Sequence, residues 1–235
     1  MKNPTRPLDP SRTGPWFGAF LALAFVAFWP SYFAPGPAAS SAITHLHAAT
    51  ATLWMLLLVV QPWAIRSRRI GLHRSLGRAS YLLAPLFVLS VLLLAHERIG
   101  RSGGPPFPIL AYILYLQLSL AVVFALAYAL AIAWRHRMAL HWRLMACTGL
   151  TLVDPVVIRL MFWAQPVPTW NYQWLTFGLT DAVLLLLIWR ERQAPSGRAV
   201  FPAMLAVFVA AQLPALLGVT MSEPWLAFAR WVSAL

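Results

Sequence analysis

Seven apolar stretches, each long enough to cross a hydrocarbon core of about 30 Å as a helix, recur along the chain. They lie at about residues 16 to 34, 42 to 65, 79 to 97, 108 to 134, 143 to 164, 172 to 189 and 199 to 219. Polar and charged residues collect in the short breaks between them. This pattern predicts an all-α fold, a polytopic transmembrane helical bundle of seven spans. Trp16, Trp29, Trp63, Trp134, Trp142, Trp163, Trp174 and Trp189 fall near the span ends, where an indole sits best at the headgroup level.

One stretch occurs twice. Arg69-Ile70-Gly71-Leu72-His73-Arg74-Ser75-Leu76 is echoed by Arg137-Met138-Ala139-Leu140-His141-Trp142-Arg143-Leu144, and a proline follows each copy, Pro85 and Pro155. The expected unit is a helical hairpin with a basic loop, and two such hairpins would form a four-helix core. The chain then divides into a disordered cytoplasmic tail (1–15), a first span with its external loop (16–41), the four-helix repeat core (42–164), two further spans (165–220) and an external interfacial tail (221–235).

Composition agrees with this reading. Hydrophobic residues make up 60% of the 235 and charged residues 10%, outside the range of water-soluble domains. The formal charge of +12 does not point to nucleic acid, because the arginines sit between apolar runs and form no solvated patch beside aromatics. They sort by side instead. Lys2, Arg6, Arg12, Arg66, Arg68, Arg69, Arg74, Arg78, Arg135, Arg137, Arg143, Arg190, Arg192 and Arg198 fall on one side, and Arg98, Arg101 and Arg230 on the other. That bias predicts a cytoplasmic N-terminus and an external C-terminus. Reading the first span as a cleaved export signal is the alternative; its bulky Trp16, Phe17, Phe25, Phe28 and Trp29 favour an uncleaved anchor.

Single residues remove several chemistries. With Cys147 as the only cysteine, internal disulfides, multi-thiolate clusters and covalent haem attachment through paired cysteines are excluded. Lys2 is the only lysine, so no intramembrane amine exists to carry a retinal or pyridoxal Schiff base. A seven-span zinc hydrolase is disfavoured because the last two spans contain no histidine.

Charges inside the bilayer cost about 2.5 to 3.5 kcal/mol each on insertion scales, so each needs a partner, a cavity or a ligand. Asp154, Arg159 and Asp181 form the candidate intramembrane charge site. Asp154 and Arg159 are five apart, about 140° around a helix, so direct pairing needs a bend at Pro155. Either a structural ion pair or a proton, ion or ligand path fits them.

The histidines fall at two levels. His45, His47 and His96, with Glu97 beside them, belong near the external face, and His47 is the one expected to point inward. His73 and His141 lie at the cytoplasmic edge, with His136 near His141. Pairing His47 with His96 and His73 with His141 gives candidate cofactor ligands for a b-type haem or a quinone, and His45, His47 and His96 together form a candidate metal trio. The alternative for the inner residues is contact with lipid phosphates or helix ends, with Arg74, Arg78 and Arg143 as the anion-contacting arginines.

The run Leu72-His73-Arg74-Ser75-Leu76-Gly77-Arg78-Ala79-Ser80-Tyr81, preceded by His47 and followed by His141-Trp142-Arg143-Leu144-Met145 and Arg159, resembles a family of predicted bacterial multi-pass membrane proteins of unknown function. In that family His-Arg-x-x-Gly-Arg opens one span, and His-x-x-x-Met with a later Arg marks another. The resemblance covers about residues 42–164, with the Trp of the second motif displaced to position 142. It implies a helical bundle in a bacterial inner membrane and no particular activity. The expected functions are therefore a redox or cofactor-binding bundle, a small-solute or proton-coupled transporter, or an accessory or assembly subunit. Expected partners are membrane lipids with anionic headgroups on the cytoplasmic side, a further copy of the chain or a larger membrane complex, and no nucleic acid.

Overall fold

A computed structural model describes residues 8–101, 105–164 and 172–235. All regular structure among them is helical: α1 (Gly14–Phe28), α2 (Ala42–Arg66), α3 (Ile70–Ile99), α4 (Phe107–Ala133), α5 (Met138–Leu150), α6 (Val153–Ala164), α7 (Gln173–Glu191), α8 (Val200–Leu216) and α9 (Glu223–Ser233). Five segments are long and apolar enough to cross a membrane: α1 with its flanking turns, α2, α3, α4, and α5 with α6. The chain is thus built as a membrane-embedded helical bundle. The other two expected spans are shorter or more polar, α7 carrying Asp181, Arg190 and Glu191 in 19 residues and α8 having 17 residues.

Both basic stretches lie inside helices, which corrects the expected loops. The hairpin turns are confined to residues 67–69 and 134–137, and α3 and α5 start directly after Arg69 and Arg137. Arg68 makes the first turn tight by adopting a left-handed φ of 57°. His73, Arg74 and Arg78 therefore stand on the opening turns of α3, nine residues earlier than an apolar boundary at 79 implies. A helix needs only its backbone bonds satisfied, so it extends past the hydrocarbon edge into polar sequence.

The prolines act differently. Helix α3 runs through Pro85 without a break, whereas the fifth span divides between Leu150 and Val153. Pro155 has no N–H, and its ring would meet the carbonyl four residues back, at Thr151. Of the expected disordered tail, residues 1–7 lie outside the described residues, and the rest is ordered: Asp9 caps a 3-10 turn at Pro10–Arg12, and α1 follows from Gly14. Bonds from Ser11 hold the Asp9 carboxyl below the ordinary carboxylate range.

Helices α2, α3, α4 and α5 pack in sequence, and α5 returns to α2, closing a four-helix group. Helix α1 covers α2 and α6, and α6, α7 and α8 continue around to α4, leaving α5 in the middle. Accordingly the 138–164 segment is the most buried of the five long spans. Trp54, Phe87 and Phe124 lock α2, α3 and α4 through edge-to-face contacts with centroids 4.7–4.8 Å apart. Trp54 also donates its indole N–H to Thr148 Oγ1 on α5 at 3.1 Å. The start of α1, both hairpin turns and the α7–α8 loop gather at one end, here called the basic end. At the opposite end α9 lies on α3 and α4, with Ala229 buried and Trp225 Nε1 donating to Ala111 O at 3.0 Å.

Candidate functional site

A cavity of about 800 Å³ opens at the basic end between α1, α2, α3, α4 and α5. Ligand sites in proteins span about 300–1,000 Å³, so it is large enough for a cofactor. His73 from one hairpin and His141 from the other both line it. His141 Nδ1 donates to the Ala131 carbonyl at 2.8 Å, which fixes the ring and leaves Nε2 for another partner. His73 is less constrained, its Nδ1 being buried without a hydrogen bond among the described residues. Beside it Gln61 donates from Nε2 to the His73 carbonyl at 3.3 Å, while Gln61 Oε1 is likewise buried and unpartnered. Buried polar atoms are rarely left so, and both residues line the cavity, where these atoms can serve an entering polar group. Arg74, Arg78 and Arg135 line the same cavity and are exposed, as is His136. Arg74 and Arg78 thus edge a cavity within the protein as well as facing the headgroup zone.

The outer histidines do not come together. His47 faces the bundle as expected, its Nδ1 3.2 Å from Ser90 Oγ and its ring stacked on Phe87, with Thr50 and Ser90 hydroxyls 2.9 Å apart behind it. His45 turns to the Tyr32 hydroxyl at 2.8 Å. His96 is exposed and donates from Nδ1 to the Val232 carbonyl of α9 at 3.2 Å. Glu97 accepts from Ser41 Oγ at 2.7 Å and sits 3.6 Å from Arg101. The metal trio His45, His47 and His96 is therefore corrected, while His47 and His96, proposed as an outer cofactor pair, take separate partners in Ser90 and Val232. Among the described residues no group of three or more His, Cys, Asp or Glu side chains is placed to hold a metal ion. Close spacing along α2 aims His45 and His47 to different sides, and α9, invisible to span counting, takes His96.

The intramembrane charges also separate. Asp154 Oδ1 accepts from Thr176 Oγ1 and from Gln173 Nε2 on α7. Arg159 curls back to the Pro155 carbonyl at 2.7 Å and lies over the Phe28 ring at 4.2 Å. Asp181 accepts from Gln212 Nε2 of α8 at 3.1 Å. Among the described residues no ion pair joins Asp154, Arg159 and Asp181: side chains of α7 and α8 bond the two carboxylates, Arg159 turns to its own helix and to Phe28, and only the fields of Asp154 and Arg159 still reach each other. Asp154 and Gln212 do share the lining of a crevice of about 10 Å³, the space of one water.

Arg143 requires the largest correction. Instead of meeting lipid phosphates it is 3% exposed and ion-paired with Glu191 at the end of α7, itself 1% exposed. Its Nη1 donates to the Ala139 carbonyl, its guanidinium lies 4.5 Å from the Trp142 ring, and the Leu8 backbone N–H donates to the other Glu191 oxygen. The sequence signal was present: Glu191 is the lone acid among Arg190, Arg192 and Arg198, and such an acid is better explained by an arginine partner than by solvent.

Comparison with family models, curated proteins and solved structures returns no match to this chain. The resemblance around His73, Arg74, Gly77 and Arg78 therefore carries no family assignment, and function rests on the geometry.

Proposed function

We propose that this protein is a redox or cofactor-binding membrane bundle of seven spans, counting α7 and α8, in which the basic-end cavity holds a b-type haem or a quinone. One observation carries the reading: His73 and His141, from different hairpins, line a single cavity of about 800 Å³. His73 and His141 would hold the group, the His141 ring oriented by the Ala131 carbonyl and the His73 ring left to turn toward it. A bound haem or quinone supplies electron transfer, and the protein's part is to exclude water with apolar walls and fix the two imidazoles. In this reading the basic end faces the cytoplasm across a cell inner membrane, and the arginine bias supports that sidedness. The test is an oxidised and reduced absorption spectrum of the purified protein, with solvent extraction for quinone. A Soret band lost in both His73→Ala and His141→Ala, or a quinone retained by wild type and lost in those variants, supports it. Absence of both ends it.

A second reading, a proton-coupled transporter, is favoured by the break before α6, which puts Asp154 in the first turn of a half-helix beside a water-sized crevice. Uptake abolished by Asp154→Asn in a protein that still folds would decide for it.

A further inference from the structure

We infer that the basic-end cavity selects an amphiphile with an apolar body and an anionic end, the anion held at the rim by Arg74, Arg78 and Arg135. The inference rests on the cofactor reading only for its location.

The walls are mainly apolar, with Phe17, Leu57, Leu58, Ile65, Ile132 and Met145 beside the polar Gln61, Ser80 and the two histidines, and no carboxylate lines the cavity. All six carboxylates of the chain lie in described residues, and each is engaged elsewhere. Asp9 serves Arg12 and Ser11, Glu191 serves Arg143, Glu97 serves Ser41 and Arg101, and Glu223 serves Arg230. Asp154 and Asp181 are bonded to α7 and α8 side chains. The rim guanidiniums are therefore uncompensated by the chain itself. Arg74 and Arg78 are one turn apart on α3, an arrangement of like charges that weakens a helix unless an anion sits between them.

A guanidinium recognises carboxylate or phosphate by forked hydrogen bonds. A neutral quinone would fill the walls and leave the rim unsatisfied. A porphyrin carrying two carboxylates, or a phospholipid with an anionic headgroup, satisfies both. The two share one recognition chemistry, and they can be told apart.

The experiment uses the full chain in nanodiscs of phosphatidylcholine, with empty discs subtracted. Metal-free protoporphyrin IX is titrated against its dimethyl ester, so that no imidazole ligation contributes, and binding is read by porphyrin fluorescence. The diacid is expected to bind about tenfold tighter than the ester, and Arg74→Gln with Arg78→Gln to reduce the ratio to about two. Adding phosphatidylglycerol to the discs tests the lipid. If it displaces the diacid from wild type more than from the arginine variant, an anionic lipid is a competing occupant and the inferred chemistry holds. Equal binding of diacid and ester, or no binding of either, with no wild-type-specific effect of phosphatidylglycerol, overturns the inference. The two readings fail separately. A Soret band together with equal diacid and ester binding leaves the cofactor reading standing without the anionic rim. A preference for diacid or anionic lipid in a protein that purifies without haem or quinone leaves the rim standing without the cofactor.

Discussion

Replacing Glu191 by Gln leaves the Arg143 guanidinium buried without its counter-charge. The two side chains are 4% and 1% exposed, so solvent screening does not discount the pair, and losing one partner of such a pair costs about 3–5 kcal/mol. Two features argue for the lower end of that range. Arg143 keeps the Ala139 carbonyl and the Trp142 face, and the Gln oxygen can still accept from Leu8 N–H, the bond Glu191 accepts now. At about 2–4 °C per kcal/mol for a chain of this length, a loss of about 3 kcal/mol lowers the unfolding midpoint by roughly 6–12 °C. The protein supplies its own reporter: Cys147, the single cysteine, is buried on α5 one turn beyond Arg143. Heating in detergent with a fluorogenic maleimide reads its exposure directly. Adding Arg143→Met to Glu191→Gln removes the stranded charge and should restore more than half of the lost midpoint, since an apolar replacement of a buried pair is often neutral. A midpoint within about 1 °C of wild type for Glu191→Gln, or a double variant less stable than the single, would refute the reasoning.

Three further outcomes are expected. Gly197 has φ +75°, and an added Cβ would lie 2.5 Å from the Ala139 carbonyl oxygen and 2.6 Å from Arg143 Nη1, whereas Gly36, at φ +82°, meets nothing within 4 Å. Gly36→Ala should cost only the left-handed backbone penalty of about 1–2 kcal/mol, and Gly197→Ala clearly more by the same maleimide assay; equal losses would show that the loop yields freely. Thr148→Val strands the buried Trp54 indole N–H, at about 1–3 kcal/mol, measured as a lower midpoint with Thr148→Ser largely retaining stability. Asp154→Leu removes one acceptor from Thr176 and from Gln173, which keep their bonds to each other, and should destabilise by about 1 kcal/mol, whereas Asp154→Asn keeps one carbonyl acceptor and should cost less in the same thermal scan.

Apolar run length alone made the membrane-crossing character and the helical class legible, because a bilayer offers no water to unpaired backbone groups and leaves few alternatives to helix. The doubled basic stretch likewise placed His73 and His141 in corresponding positions of two hairpins. Glu191 hinted at a buried arginine, but the repeated stretches did not say which one. Arg74 and Arg143 occupy similar sites relative to their turns, yet Arg74 is exposed and Arg143 buried, because α7 and the α7–α8 loop cover the second hairpin. The outer histidines were grouped by depth, and depth does not determine the direction in which a side chain points around its helix.

What the chain determined by itself was its helical, membrane-crossing character and the collection of arginines in and beside the breaks between apolar runs, both properties of contiguous sequence and of its transfer from water to lipid. Only the tertiary structure decided which polar groups meet. Asp154 with Thr176, Asp181 with Gln212 and Arg143 with Glu191 are contacts between separate helices. Such partners are selected by helix packing and rotation, and hydrophobicity along the chain specifies neither to the few ångströms that a hydrogen bond requires.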